Sequence, residues 1–207
     1  MKILLIIGSA VLGIGLFVVS AQISSYYQSD ITQLTNQVGA FGPLVYIGLT
    51  TGAIVVAPLG FGFLIPVATQ AYGPLLAAVY SVVGWTLGSV IVWWLIRRYA
   101  KVYVQDTKVV QYIQRIETSL PPARLYVVVL LLRVALPVDV LSYALGLGSS
   151  IRFWPYLLTT VVGITPFAVA TTYAAAGTME NQLVVGVLAA VIFLGGTLYI
   201  TKYSTRT

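Results

Sequence analysis

The chain has 207 residues, 59% hydrophobic and 8% charged, with a mean hydropathy of +0.96 and a net charge of +6. A soluble domain carries about 25% charged residues, so the solvated surface that such a domain needs is missing. With no cysteine and no histidine, disulfides, thiolate nucleophiles, Cys or His metal sites and His-based catalytic dyads or triads are excluded, and the chain is expected to be neither an enzyme nor the holder of a metal or cofactor.

From Gly39 to Ile96 there is no Asp, Glu, Lys or Arg. That stretch is far longer than the roughly 20 apolar residues with which one helix crosses about 30 Å of hydrocarbon. The expected fold class is therefore an all-α integral membrane protein. The positive charge does not argue for nucleic acid, because most basic residues flank apolar runs. There they report topology and affinity for anionic lipid.

In chain order, Ile3 to Ala21 is uncharged and follows Lys2, and its apolar content favours insertion by roughly 4–7 kcal/mol. A retained helix is expected, with a cleaved signal peptide as its rival because Val19-Ser20-Ala21 resembles a cleavage site. Asp30 and Gln33 suggest a capping box, and Ile31, Leu34, Val38 and Phe41 form one apolar stripe. This predicts a short interfacial helix. Leu44 to Ala57 is only about 21 Å of helix, and Pro58, Gly60 and Gly62 suit a bend before a second short piece ending at Tyr72-Gly73. Two half-length helices joined by such a bend predict a re-entrant hairpin, against the alternative of one kinked spanning helix.

Pro74 to Ile96 spans easily and closes with Trp93, Trp94, Arg97, Arg98, Tyr99 and Lys101, an aromatic belt with a basic collar. Within it, Gly84 and Gly88 allow close helix contact. Residues 97–124 form a basic loop, partly amphipathic, that the positive-inside rule makes cytoplasmic. The same rule puts Lys2, Lys202 and Arg206 inside. These assignments agree when 3–21, 74–96, 154–176 and 183–201 span and the two hairpins do not.

The second hairpin lies in 125–156, where Arg133, Pro137 and Asp139 interrupt apolar sequence. Each ionised group at the centre of a spanning helix costs roughly 2.5–3.5 kcal/mol. The Leu, Ile and Val residues around them return about 4–8 kcal/mol, so the segment should turn inward against protein. Arg133 offers a forked, permanently charged donor that suits phosphate. Asp139, partly desolvated, suits a proton. An Arg133–Asp139 ion pair that pins the hairpin is the structural alternative, and Arg152 reads as a snorkelling topology determinant. Pro66 and Tyr72 echo Pro137 and Tyr143 with equal spacing, which suggests inverted hairpins around a mid-membrane site.

The run Arg133, Pro137, Asp139, Leu141, Tyr143, Gly146, Leu147, continued by Ile151-Arg152-Phe153, Gly163, Pro166 and Gly177, resembles the DedA/SNARE-associated Golgi protein superfamily, the VTT domain. The branch named after late-Golgi vesicle proteins is the most similar. Upstream, Pro58, Pro66, Ala71-Tyr72-Gly73, Gly84, Gly88 and Arg97-Arg98-Tyr99 fit the same pattern, so the resemblance covers about residues 40 to 180. It implies two oppositely oriented re-entrant hairpins, with about four spanning helices, and movement of a lipid: a polyprenyl phosphate carrier or a phospholipid. It makes Arg133 the hairpin arginine. Typical members also carry acidic residues in the first hairpin for proton coupling. Here residues 31–105 hold none, which leaves Asp139 as the proton-coupling candidate.

The organisation expected is thus 1–42, an N-terminal and an interfacial helix; 43–180, a core with two re-entrant hairpins; and 181–207, a C-terminal helix with a basic tail. The expected function is transport of an anionic lipid, its phosphate headgroup held by Arg133, Pro137, Asp139, Tyr143, Pro66 and Tyr72. Its alternatives are a passive scramblase and a scaffold whose basic loop recruits a partner. A second copy of the chain is a further candidate partner. The expected location is a prokaryotic plasma membrane with both termini cytoplasmic.

Overall fold

The computed structural model describes residues 15–56, 64–100, 121–135, 138–188 and 191, with the side chains of 34–36, 100, 122–123, 134–135 and 138–140 excepted. Among them no strand occurs. The helices are α1 (Gln28–Val38), α2 (Phe41–Val56), α3 (Leu64–Leu95), α4 (Pro122–Ala135), α5 (Val138–Gly148) and α6 (Phe153–Ala176), with a π-helical turn at Ile96–Ala100 closing α3. Helical backbone also covers 15–26 and 179–188.

α3 is two legs rather than one rod. Gly73 has φ 77° and ψ 163° and is followed by Pro74, a backbone region that belongs essentially to glycine. Ala68 and Ala77, on either side of the break, share one cluster with Tyr46. The rings of Tyr72 and Tyr80 meet at 5.5 Å, whereas a straight helix would separate these residues by about 12 Å along its axis. The chain therefore folds back at Gly73. Beyond it, the leg from Pro74 runs alongside α2 and in the same direction: the Tyr46 hydroxyl meets the Ser81 hydroxyl at 2.7 Å, the Thr51 hydroxyl donates to the Gly84 carbonyl, and Ile54 lies against Gly88. A Cβ on Gly88 would sit 2.9 Å from the Thr51 carbonyl oxygen. The Gly84/Gly88 pair is thus the surface on which α2 seats.

The second half repeats this plan. Val129 and Arg133 of α4 lie at Tyr156 and Gly163 of α6, again in the same direction. The return leg α5 places Ser142 on Arg133 and puts Leu141 and Leu145 in the cluster around Tyr156. At 1.5 Å per residue the three legs measure roughly 24, 13 and 33 Å in the first unit and roughly 21, 16 and 36 Å in the second. Only the third leg of each unit is long enough for a bilayer. These two long legs are antiparallel, since Trp93 stacks on Tyr156 while Trp85 meets Phe167. The units are therefore inverted with respect to each other. They touch where the Tyr143 hydroxyl donates to the Val55 carbonyl at 3.1 Å, beside Ile54, Val92, Ile96 and Leu147.

The long legs carry most of their serine and threonine hydroxyls inside and large apolar side chains outside. Ser81, Thr86, Ser89, Thr159, Thr160, Thr171 and Thr172 are buried, while Leu75, Leu87, Trp94, Leu158 and Val162 are exposed. In water such an outer face is a large unpartnered apolar patch. In lipid it is the expected arrangement, because helices there associate through small residues and hydrogen bonds. By length and composition, Leu64–Tyr99 and Phe153–Ala176 are the candidate spans among the described residues. The fold-back at Gly73 limits the crossing part of the first to the leg after Pro74.

Two expectations need correction. The proposed capping box fails because the backbone stays helical through Tyr27, whose amide bonds to Ile23 and whose carbonyl receives Ile31. Asp30 therefore lies in the first turn of α1, with no free helix end to cap. The Pro66/Tyr72 echo also does not superpose on the repeat. Tyr72 ends its return leg at the Gly73 fold-back, whereas Tyr143 stands in the middle of the longer α5. The bend at Pro58, Gly60 and Gly62, Pro137, residues 101–120, residues 3–14 and the tail lie outside the described residues.

Candidate functional site

Arg133 occupies the last turn of α4, where the partial negative charge of a helix C-terminus favours a cation. It is 2% exposed. Its Nη1 donates to the Ser142 hydroxyl at 2.9 Å, and the guanidinium carbon lies 4.9 Å from the centre of the Tyr156 ring. Room for it comes from Gly163: a Cβ there would lie 2.6 Å from the Arg133 Cβ. Gly163 is close to the midpoint of α6, so the charge sits at mid-depth of the long leg. A buried cation–π contact is worth about 2 kcal/mol and a hydrogen bond to a charged group about 1.5–3 kcal/mol. Together they are comparable with the roughly 2.5–3.5 kcal/mol that a central arginine costs.

Tyr156 is held in turn. It is fully buried, its hydroxyl donates to the Ser89 carbonyl at 2.8 Å, and its ring stacks on Trp93 at 5.1 Å and 21°. Arg97 covers the Trp93 ring at 4.5 Å. Its Nη1 donates to the Ile151 carbonyl at 2.7 Å and its Nη2 to the Ser149 carbonyl at 3.1 Å. The amide of Ile151 bonds back to the Ser149 hydroxyl. Arg97 is therefore a clamp on the reversal between α5 and α6, and it closes a sequence of guanidinium, indole, phenol and guanidinium that leads to Arg133.

Of the residues expected at the site, Arg133 is at its centre, and Tyr143 directly follows its partner Ser142 on α5, its hydroxyl spent on the contact with Val55. Asp139 is in the first turn of α5. Its side chain, and with it the Arg133–Asp139 pair, lies outside the described residues, as does Pro137. Pro66 is buried on the first return leg. Tyr72 packs with Gly42 and Tyr80, whereas the aromatic partner of Arg133 bonds at Ser89, about 13 Å farther along the same leg. The fold thus separates Tyr72 from Arg133. Sequence reasoning missed Ser142, Tyr156 and the clamp role of Arg97. Gly163 was part of the quoted motif, and its meaning is the space it leaves for Arg133.

A family model, described as the VTT domain, matches residues 41–177, which run from the first residue of α2 to the end of α6 and so contain both inverted units. Searches of curated proteins and of solved structures returned no match. The family is membrane-associated and generally linked to lipid transport. On the extent of that match, joined to apolar long legs with polar interiors, the chain is a membrane protein of the VTT domain family, in the DedA/SNARE-associated Golgi protein superfamily.

Proposed function

We propose that this protein moves an anionic lipid, a polyprenyl phosphate or a phospholipid, across the bilayer, with Arg133 holding the phosphate. The observation that carries this reading is a guanidinium 2% exposed at the mid-depth of a core whose outer face is apolar. A planar donor fork matches phosphate oxygens in pairs, and ionisable groups at that depth mark substrate routes. In this reading the short legs are two re-entrant hairpins entering from opposite faces, between four spans. Tyr143 ties the hairpins together, and Asp139 gates the movement or couples it to protons. Both termini lie on the cytoplasmic side of a prokaryotic plasma membrane. No bond is made or broken and no cofactor takes part. A passive scramblase is the second reading, favoured by the absence of any acidic residue in 31–105.

The test is lipid translocation in proteoliposomes by wild type, Arg133→Ala and Asp139→Asn, with and without a pH gradient. Truncating one partner of a buried charged contact costs about 2–5 kcal/mol, so Arg133→Ala is expected to slow movement roughly 30-fold or more. Loss of gradient dependence in Asp139→Asn would mark coupling, and a gradient-independent wild type would favour the scramblase. A wild type that moves neither phospholipid nor polyprenyl phosphate refutes the transport reading.

A further inference from the structure

On the leg after Pro74, residues 86, 89, 93 and 97 recur at spacings of three and four and share one face. Three of them bury a polar atom that has no hydrogen-bond partner among the described residues: Thr86 Oγ1, Ser89 Oγ and Trp93 Nε1. All three side chains are more than nine-tenths buried. This is not the habit of hydroxyls in this protein. Ser81, Thr159, Thr160, Thr171 and Thr172 each donate to a carbonyl three or four residues back in their own helix, which is how a hydroxyl is ordinarily satisfied inside an apolar helix bundle. Unsatisfied buried donors destabilise a fold, so three on one stripe need another account.

Their surroundings supply one. The stripe begins at Arg97, half-buried at the end of the leg, and passes Trp93 and Ser89, the residues that stack on and bond to Tyr156, on whose ring Arg133 rests. One guanidinium stands at its end and the other is reached through Tyr156. The indole N–H donates only and the two hydroxyls can donate. The neighbouring positions are roughly 4.5–6 Å apart along the axis, a step that a phosphate group can bridge. A stripe of donors linked to two cations fits a ligand that only accepts.

We infer that the Thr86–Ser89–Trp93 stripe is the path along which the lipid phosphate passes between Arg97, its outer station, and Arg133. The inference rests on the transport reading and extends it to the route. It predicts that removing the two hydroxyls without removing their bulk, as Thr86→Val and Ser89→Ala do, stabilises the protein or leaves its stability unchanged, while transport fails. A structural role for the same atoms predicts the reverse.

The experiment compares wild type, Thr86→Val, Ser89→Ala, Trp93→Phe and the triple variant in proteoliposomes carrying a fluorescent short-chain phosphatidic acid. Thermal midpoints are measured in detergent, and Arg133→Ala is the reference for a lost site. The expected result is a fall in translocation of about tenfold or more in the triple variant, with the midpoints of Thr86→Val and Ser89→Ala equal to or above that of wild type. If the triple variant moves phosphatidic acid at the wild-type rate while Arg133→Ala does not, the path is wrong and the transport reading stands. If the midpoint falls and the rate falls only with the folded fraction, the stripe is structural and the inference is overturned. If wild type itself moves neither this phosphatidic acid nor a polyprenyl phosphate in the same liposomes, the route and the lipid-phosphate reading fall together.

Discussion

The two inverted units reach the same architecture by different means. In the first, the return leg turns into the long leg at one residue, Gly73, whose backbone takes the whole reversal. In the second, the reversal is spread over 149–152 and strapped by the Arg97 guanidinium. The first unit carries no charge from Phe41 to Ile96, and its core polarity is hydroxyls: Tyr46 on Ser81, Thr51 on the Gly84 carbonyl. The second buries Arg133 at the place where its first leg meets its long leg. A unit of this architecture therefore needs no charge in order to fold. Arg133 is a burden on the second unit that the first shows to be dispensable for architecture, and that is the argument for a chemical role.

Five further substitutions, in three sets, probe this comparison. The largest effect on transport is expected from Gly163→Ala, set against Gly84→Ala. Both positions carry the close approach of a first leg to a long leg. The added methyl at Gly163 meets the Arg133 Cβ, so it displaces the guanidinium and should slow lipid movement by about tenfold. The methyl at Gly84 meets Thr50 and should cost about 1–3 kcal/mol of stability, with little change in rate per folded molecule. Equal losses of transport in the two variants would mean that packing, not the position of Arg133, is what matters.

Next is Gly73→Ala. Nothing lies within 4 Å of the added methyl, so any cost is conformational, and a residue forced into that region pays about 1–3 kcal/mol. A thermal midpoint in detergent lower than wild type is expected. An unchanged midpoint would mean that the reversal does not depend on the glycine backbone. The smallest pair is Tyr143→Phe and Tyr46→Phe. Each deletes one hydrogen bond, between units and within a unit respectively, at about 1 kcal/mol. Only Tyr143→Phe is expected to change the transport rate as well, because of these two bonds it alone joins one unit to the other. Identical rates in both variants would remove Tyr143 from the mechanism.

Much of this was legible in the residues. The absence of charge from Gly39 to Ile96 declares a hydrocarbon environment, because no soluble core of that length lacks a charged face. Tyr72-Gly73-Pro74 marked a break, since proline cannot continue a helix hydrogen-bond ladder and glycine alone tolerates the required backbone. Arg133 stood out as a charge in apolar sequence, and its burial is what that isolation implied. The neighbours of Arg133 were not legible. In a membrane helix, apolar side chains face both lipid and protein, so the buried face leaves almost no periodic trace. Hence Ser142, Tyr156 and Gly163 were not distinguishable as partners from the many small and aromatic residues beside them.

The sequence by itself thus determined the solvent, the breaks and the burial of Arg133, because each follows from local chemistry: transfer cost, backbone restriction and the cost of charge in lipid. Only the tertiary structure decided what that cation touches. Ser142, Tyr156 and Gly163 come from two other helices. The conversion of Arg97 from an interfacial collar into a clamp depends on the antiparallel crossing of the two long legs, which brings Ser149 and Ile151 to the end of α3. Contacts between residues so far apart in the chain are chosen by how whole helices pack.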